Sequence, residues 1–360
     1  MTHRERQILQ LIESNPMIAQ QELADALGIT RSSVAVHISN LIKKGLIAGK
    51  GYVLRSGSYA VVVGGVNVDI GGRSLNPLVA ADSNPGTIST SLGGVGRNIA
   101  HNMALLGVDV RMLTAFGDDL NGQRIRTSCG ELGIDCSHAL CVPELPTSTY
   151  LYIADEKGDM AMAVSDMEVC NRITPAYLAA NLPLLQNARV VIVDTNIPAE
   201  SLVYLAENCT QPIFCDPVST VKAEKLLPIL SSLHTLKPNR LEAQILSGVP
   251  IHSKADAEKA AAALLKKGVK RVFLSMGADG VYAASQKESL WLNNLPANMI
   301  NTTGCGDAFM AALAWAFLED ADLRTTALSG LGAAAIAMES QSTINESMSA
   351  TALRCRINKK

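Results

Sequence analysis

From residue 59 onward the chain alternates two kinds of segment, and that alternation restricts the fold more than any other feature. Six short runs rich in β-branched residues read as buried strands: YAVVVGGVNVDI (59–70), VRMLTAFG (110–117), RVVIVDTN (189–196), PIFCDPV (212–218), HTLKPN (234–239) and RVFLSMGADG (271–280). Helical stretches such as 95–106 and 254–267 lie between them. Strands apolar on both faces need cover on both faces, so the pattern predicts an α/β fold: a mostly parallel sheet in a three-layer α/β/α arrangement. Ligands of such sheets gather at the carboxyl ends of the strands. Small polar residues fall there: Asn67 and Asp69, Asn196, Asp216, Asn239, and Ser275 with Gly277. Two segments break the alternation. Residues 70–92 are rich in Gly, Ser, Pro and Thr, and 147–166 carry two β-like runs around Glu156-Lys157-Gly158-Asp159. Together they predict a small side sheet.

At 360 residues the chain exceeds one domain of roughly 100–200 residues, so an appended module is expected. Hydrophobic content of 48% supports a sizeable core and excludes global disorder. The net charge of −2 excludes a chain that is basic throughout. No two of the eight cysteines are spaced as CxxC, and none has a His at metal-ligand spacing, so a zinc site is not expected and a reducing compartment is. The opening MTHRERQILQLIESN is charged and lacks an apolar signal core. The apolar stretches 308–318 and 327–338 fall short of the roughly 20 residues a membrane span needs. These readings lead us to expect a cytoplasmic protein.

Residues 1–55 read as a separate module. Ile8, Leu9, Leu11 and Ile12 repeat at helical spacing before Asn15-Pro16 stops the helix. A second helix spans 20–27 and ends at Gly28. Thr30 reads as the N-cap of a third helix, 31–44, with Val34, Ile38, Leu41 and Ile42 facing inward. Residues 46–54 read as two short strands around Gly49-Lys50-Gly51. The module carries +3 against −5 for the remainder. Three helices with a tight turn and a hairpin resemble the winged helix-turn-helix DNA-binding domains of bacterial transcription regulators. That resemblance puts Arg31, Ser32, Ser33 and His37 in the major groove and Lys50 on a phosphate. A docking or dimerisation bundle is the alternative.

Two glycine-rich elements precede helices. In NTTGCGDAFMAALAWAFL (301–318) the turn Thr303-Gly304-Cys305-Gly306 runs into an apolar helix with Asp307 in its first turn. Free N–H groups at such a start face an anion, aided by the helix dipole, and a carboxylate beside them can take a proton from an attacking hydroxyl. On these residues alone, Asp307 as a mere helix cap stays open. The second element, SLGGVGRNIAHNMALLG (91–107), puts Arg97 and Asn98 in a first turn. Neither is a dinucleotide fingerprint or a Walker loop.

With GGVGRN near the front and TTGCGD near the back, residues 59–355 resemble the ribokinase-like (PfkB) carbohydrate and nucleoside kinases. The resemblance implies ATP and Mg²⁺ as cofactors and a ribokinase-like fold. It makes Asp307 the base, with the N–H groups of Gly304, Cys305 and Gly306 holding the transferring phosphoryl group. Asn67, Asp69, Gly93, Gly94, Asn98 and Thr149 would meet the acceptor; Asn239, Ser275, Gly277, Gly280 and Thr303 would meet ATP. Glu242 would hold Mg²⁺ through water. The side sheet, 70–92 with 147–166, becomes a lid that in many relatives also joins a homodimer. Two departures stand out. Asn301 replaces the family's usual Asp at a potassium site, which puts the K⁺ requirement in doubt, and Cys305 replaces the usual Ala.

Within the family, GGVGRNIAHNMALLG, STYLYIAD (148–155), DPVSTVKAEK (216–225) and STINESMS (342–349) are most similar to pseudouridine kinases and their helix-turn-helix-bearing cousins. That similarity implies phosphate on the ribose 5′ oxygen of pseudouridine, with Thr149 and Lys222 as base-side candidates. Another nucleoside, a free pentose or hexose, and a regulator that only senses such a ligand are the rival readings.

Overall fold

The computed structural model describes residues 2–44, 46–47 and 59–358, which fall into two units, Met1–Gly57 and Ser58–Lys360. In the first unit, α1 (His3–Ser14) starts on a reciprocal cap. The Thr2 hydroxyl accepts the Glu5 N–H (3.2 Å) while the Glu5 carboxylate accepts the Thr2 N–H (2.6 Å). Helix α2 (Gln20–Leu27) stops at Gly28, whose φ of 61° is left-handed. Helix α3 (Arg31–Lys43) starts at Thr30, which accepts the Ser33 N–H. Ile8, Ile12, Leu23, Val34, Ile38 and Leu41 form the core. Ile42, expected inward, is 46% exposed, because the 34–38–41 stripe leaves it a hundred-degree step outside. Residues 48–54 of the expected hairpin, Lys50 among them, lie outside the described residues.

Among the described residues the second unit has fourteen strands: β1 (Tyr59–Val63), β2 (Asn67–Ser74), β3 (Gly86–Gly93), β4 (Asp109–Leu113), β5 (Ala115–Gly117), β6 (Leu140–Val142), β7 (Thr149–Ala154), β8 (Met160–Asp166), β9 (Val190–Asp194), β10 (Ile213–Asp216), β11 (Leu233–Leu236), β12 (Arg271–Ser275), β13 (Val281–Ser285) and β14 (Ser289–Leu292). Eight make the main sheet in the order β14-β13-β12-β11-β10-β9-β1-β4. It is parallel from β12 to β4, and β13 and β14 extend it antiparallel. Along β1, Tyr59, Val61 and Val63 enter one core cluster while Ala60 and Val62 enter the other, so the central strand is covered on both faces. The run 59–70 is two strands rather than one. It breaks at Gly64-Gly65, where Asp194 Oδ2 accepts the Gly65 N–H (2.9 Å) and leaves no room for a side chain on Gly64. After that break β2 joins β3, β7 and β8 in a separate four-stranded sheet, ordered β3-β2-β7-β8. This is the side sheet expected from 70–92 and 147–166.

Five further helices position the site: α4 (Val95–Leu105), α5 (Leu120–Glu131), α6 (Arg240–Ser247), α7 (Cys305–Leu318) and α8 (Leu323–Met338). Among the described residues no helix is long and apolar enough to cross a membrane.

Candidate active site

The turn before α7 sets the geometry. Gly304 adopts φ 82°, and a Cβ there would overlap the Thr343 carbonyl, so only glycine fits. Asn301 braces the same turn: its Oδ1 accepts the Thr303 N–H (3.0 Å) and its Nδ2 donates to Gln341 O (3.1 Å). The oxygen expected to serve potassium is therefore already engaged. The Cys305 N–H turns to Thr302 O (3.3 Å), and the Ala308 N–H closes the first helical turn on Gly304 O (2.9 Å). The N–H groups of Gly304, Gly306 and Asp307 have no partner among the described residues. The ring of amides thus differs by one from expectation, with Asp307 donating where Cys305 does not. These donors stand at the positive end of a 14-residue helix.

A cation that the sequence reading left unassigned stands beside them. Lys237 sits in the LKPNRLE run just before Asn239, and a Cβ on Gly306 would lie 3.2 Å from its Nζ. The ammonium is buried and paired with Asp216 Oδ2 at 3.0 Å. Burial opposes its charge, but Asp216, and after it Glu242 and Asp307, hold its pKa above the ordinary value. A fixed positive charge next to free amides suits an anion with charge developing on it.

Asp307 Oδ2 accepts a hydrogen bond from Asn98 Nδ2 at 2.8 Å, which joins the two glycine elements across 209 residues. Burial, and then repulsion from Asp216, push its pKa up to about 7, while Asn98 and Lys237 pull the other way. A carboxylate with a pKa near neutrality is suited to accept a proton at working pH. Cys305 is only partly buried, and burial followed by the Asp307 charge raises its thiol pKa, which argues for an inert small side chain.

Two clefts meet at the 301–306 turn. One, of about 840 Å³, is lined by Asp69, Ser91, Arg97, His101, Tyr150 and Tyr152 with Asn301 and Thr303. The other, of about 590 Å³, is lined by Lys237, Ser275, Gly277, Gly280, Cys305 and Gly306, with Phe309, Leu331 and Met338 as its apolar part. Thr302 faces the second cleft and Thr303 the first, so Thr303, expected on the ATP side, lies on the opposite side of the turn.

Asp69 lines the first cleft and its Oδ1 accepts a hydrogen bond from Asn67 Nδ2 (2.6 Å), and Gly93 is bare because a side chain there would overlap the Asp69 carboxylate; Asn67, Gly93, Gly94 and Asn98, expected to meet the acceptor, do not themselves line the cleft. Gly94, with φ 98°, packs on Gly65 and Val66 too closely for any Cβ. The GGVGRN glycines therefore serve close packing. Thr149 donates to Thr147 O and does not line the cleft; its neighbour Tyr150 and Tyr152, one face of β7, do. Lys222 Nζ is bound to Asn196 Oδ1 (2.6 Å) and is likewise off the cleft. Asn239 and Glu242 form a reciprocal cap on α6, with the Asn239 N–H on Glu242 Oε2 (2.9 Å) and the Glu242 N–H on Asn239 Oδ1 (2.9 Å). Neither lines the second cleft.

An α/β sheet with a side sheet, and a carboxylate beside free amides next to a turn where two clefts meet, fit an alcohol phosphotransferase. Comparison with known proteins agrees. The profile of pfkB family carbohydrate kinases matches residues 58–350, and that of winged helix-turn-helix DNA-binding domains matches residues 1–48. An uncharacterized sugar kinase, YeiI, of Escherichia coli is 40% identical over 97% of this chain and 97% of its own. A pseudouridine kinase of the same organism is 41% identical over 82% of this chain and 95% of its own. Among solved structures, a carbohydrate kinase from Agrobacterium tumefaciens superposes with a TM-score of 0.74 at 25% identity, over 83% of this chain and 97% of that one. A ribokinase of Arabidopsis thaliana gives 0.76 at 22% identity over 85% and 100%. The chain belongs to the pfkB family of carbohydrate kinases. It is a sugar or nucleoside kinase of the ribokinase type, with a winged helix-turn-helix unit at its amino terminus.

Proposed function

We propose that this kinase moves the γ-phosphoryl group of ATP to the 5′ hydroxyl of pseudouridine. The observation that carries the reading is Asp307, held by Asn98 beside three free amides and Lys237, one residue beyond the 301–306 turn at which an acceptor cleft and an apolar donor cleft meet. Asp307 takes the proton of the hydroxyl as its oxygen attacks phosphorus. The N–H groups of Gly304, Gly306 and Asp307, with Lys237, stabilise charge on the transferring group. Asp69, positioned by Asn67, hydrogen-bonds the sugar and keeps the hydroxyl in line. Ser275, Gly277 and Gly280 support the nucleotide. Tyr150 and Tyr152, with ring centroids 6.0 Å apart on the side sheet, favour an acceptor with a flat ring over a bare sugar. The 41% identity to a pseudouridine kinase points the same way.

Among the described residues no three His, Cys, Asp or Glu side chains gather as metal ligands. Mg²⁺ keeps several waters and takes phosphate oxygens, so a single carboxylate can serve it. Glu242, with one oxygen in the α6 cap and the other left over, would hold it through water, where the ion would neutralise phosphate charge. Coupled ADP-release assays against pseudouridine, uridine, ribose and hexoses test the reading. Turnover of pseudouridine above the others supports it; turnover of free sugars alone, or ligand binding without turnover, refutes it.

We propose also that α3 carries DNA contacts. Arg31, Ser32 and Ser33 are exposed at its start and His37 is half-buried one turn on. The Ser32 and Ser33 hydroxyls share Thr30 Oγ1 (2.9 Å each), so Arg31 is the principal contact. Gel-shift titration at stated salt tests this, with loss of binding in Arg31→Ala as the expected result. A homodimer through the side sheet is supported by exposed Ile88, Met160, Met162 and Val164, and sedimentation analysis would detect it.

A further inference from the structure

Helix α4 does more than supply Asn98. Arg97 and His101, one turn apart and so on the same face, are 4% and 5% exposed yet both line the acceptor cleft. Their hydrogen bonding is incomplete. Arg97 Nη1 donates to Leu92 O (3.2 Å) and Nη2 to Ser128 Oγ (2.9 Å) on α5, and the Cys129 thiol interacts with the guanidinium, but Nε makes no hydrogen bond among the described residues. Neither ring nitrogen of His101 has a hydrogen-bond partner there, and Nε2 stands 3.6 Å from Glu346 Oε1, just out of reach. Buried donors and acceptors left open cost free energy unless a ligand completes them.

The chemistry of the missing ligand follows from what the wall offers. Arg97 Nε–H donates. Burial, and then the Arg97 charge, hold the His101 pKa below its ordinary value against the opposing pull of Glu346, and a neutral ring donates at one nitrogen and accepts at the other. Glu346, on the same cleft, accepts. Tyr150 and Tyr152 supply aromatic surface. Asp69 and Glu346 on this cleft disfavour an anionic acceptor such as a sugar phosphate. A neutral planar ring with adjacent C=O and N–H groups satisfies every one of these positions.

We infer that Arg97 and His101 are the specificity-determining pair of this kinase, reading the amide edge of a uracil-type ring on the sugar, with Glu346 taking an N–H of that ring. The inference rests on the proposed nucleoside acceptor and assigns its recognition to named groups. Pseudouridine carries one more ring N–H than uridine, which gives Glu346 something to distinguish.

The test is steady-state kinetics of His101→Ala, Arg97→Gln and Glu346→Gln with pseudouridine, uridine and a sugar monophosphate. A hydrogen bond to a neutral ring is worth about tenfold, and one from a buried charge ten- to a hundredfold. We expect the KM for pseudouridine to rise about tenfold in His101→Ala and more in Arg97→Gln, with kcat within about twofold of wild type. Glu346→Gln, at a side chain 72% exposed and so safe for folding, should narrow the preference for pseudouridine over uridine. An unchanged KM, or a fall in kcat at constant KM, overturns the inference while leaving the substrate reading intact. If the wild type phosphorylates no nucleoside, the substrate reading has failed and the inference with it. If the wild type prefers the sugar monophosphate, the pair reads an anion and the inference is wrong.

Discussion

Asp307→Asn separates chemistry from folding. The substitution keeps the shape, and a turned amide can still present oxygen to Asn98 Nδ2 across the 2.8 Å contact. What it removes is the ability to take a proton, worth about 10²- to 10⁴-fold for a positioned base, or about 3 to 5 kcal/mol on the barrier. The effect on stability has the opposite sign. Asp307 titrates at about 7 in the folded protein against an ordinary 3.8, a gap equivalent to about 4 kcal/mol. The folded state therefore keeps the proton when the unfolded chain has released it, so folding is increasingly opposed from about pH 4 upward and fully opposed above pH 7. Asn carries no such penalty. Coupled ADP-release kinetics at saturating substrate should show kcat down by at least a hundredfold with the acceptor KM within about threefold. Thermal unfolding at pH 8 should show the variant more stable than wild type, with the difference vanishing near pH 4. A variant that keeps a tenth of wild-type kcat, or that melts lower at pH 8, refutes this account of the carboxylate.

Further outcomes follow from the same geometry. The wild-type kcat/KM for the acceptor should rise with pH through an apparent pKa near 7, as the carboxylate becomes free to accept a proton; a flat profile between pH 6 and 8 would assign the base elsewhere. Lys237→Met should lower kcat at least tenfold and destabilise the protein by about 3 to 5 kcal/mol in denaturant titration, since Asp216 is left buried without its partner. Gly304→Ala should abolish turnover at near-normal acceptor affinity, measured by equilibrium binding, because its Cβ would force the turn away from Thr343.

Much of the parallel sheet was legible because its strands are continuous apolar runs, a pattern produced only by cover on both faces. The break at Gly64-Gly65 was not, since a run of valines and glycines gives no sign that Asp194, 129 residues away, claims the Gly65 N–H. The antiparallel strands β13 and β14 are not legible because Val281–Ser285 and Ser289–Leu292 are too short and too mixed in pattern. At the site, Asp307 and Asn98 were legible from two glycine elements, and their direct contact is long-range geometry no local spacing encodes. Thr303 was put on the wrong side because the turn between Asn301 and Gly304 decides which of two adjacent threonines faces which cleft. Lys237 sat in plain view beside Asn239, but a lysine in a loop ordinarily reads as solvated; burial against Asp216 is what makes it part of the site. The alternation along β7 gives the cleft to Tyr150 and Tyr152 rather than to Thr149.

The central claim is transfer of a phosphoryl group to a nucleoside alcohol, and the product itself is its most direct witness. Incubated with ATP, Mg²⁺ and pseudouridine, the full-length protein should yield a nucleoside monophosphate whose ³¹P–¹H coupling runs to the two protons on the 5′ carbon. ADP formed without a phosphorylated nucleoside, or phosphate found on a secondary hydroxyl, would contradict it.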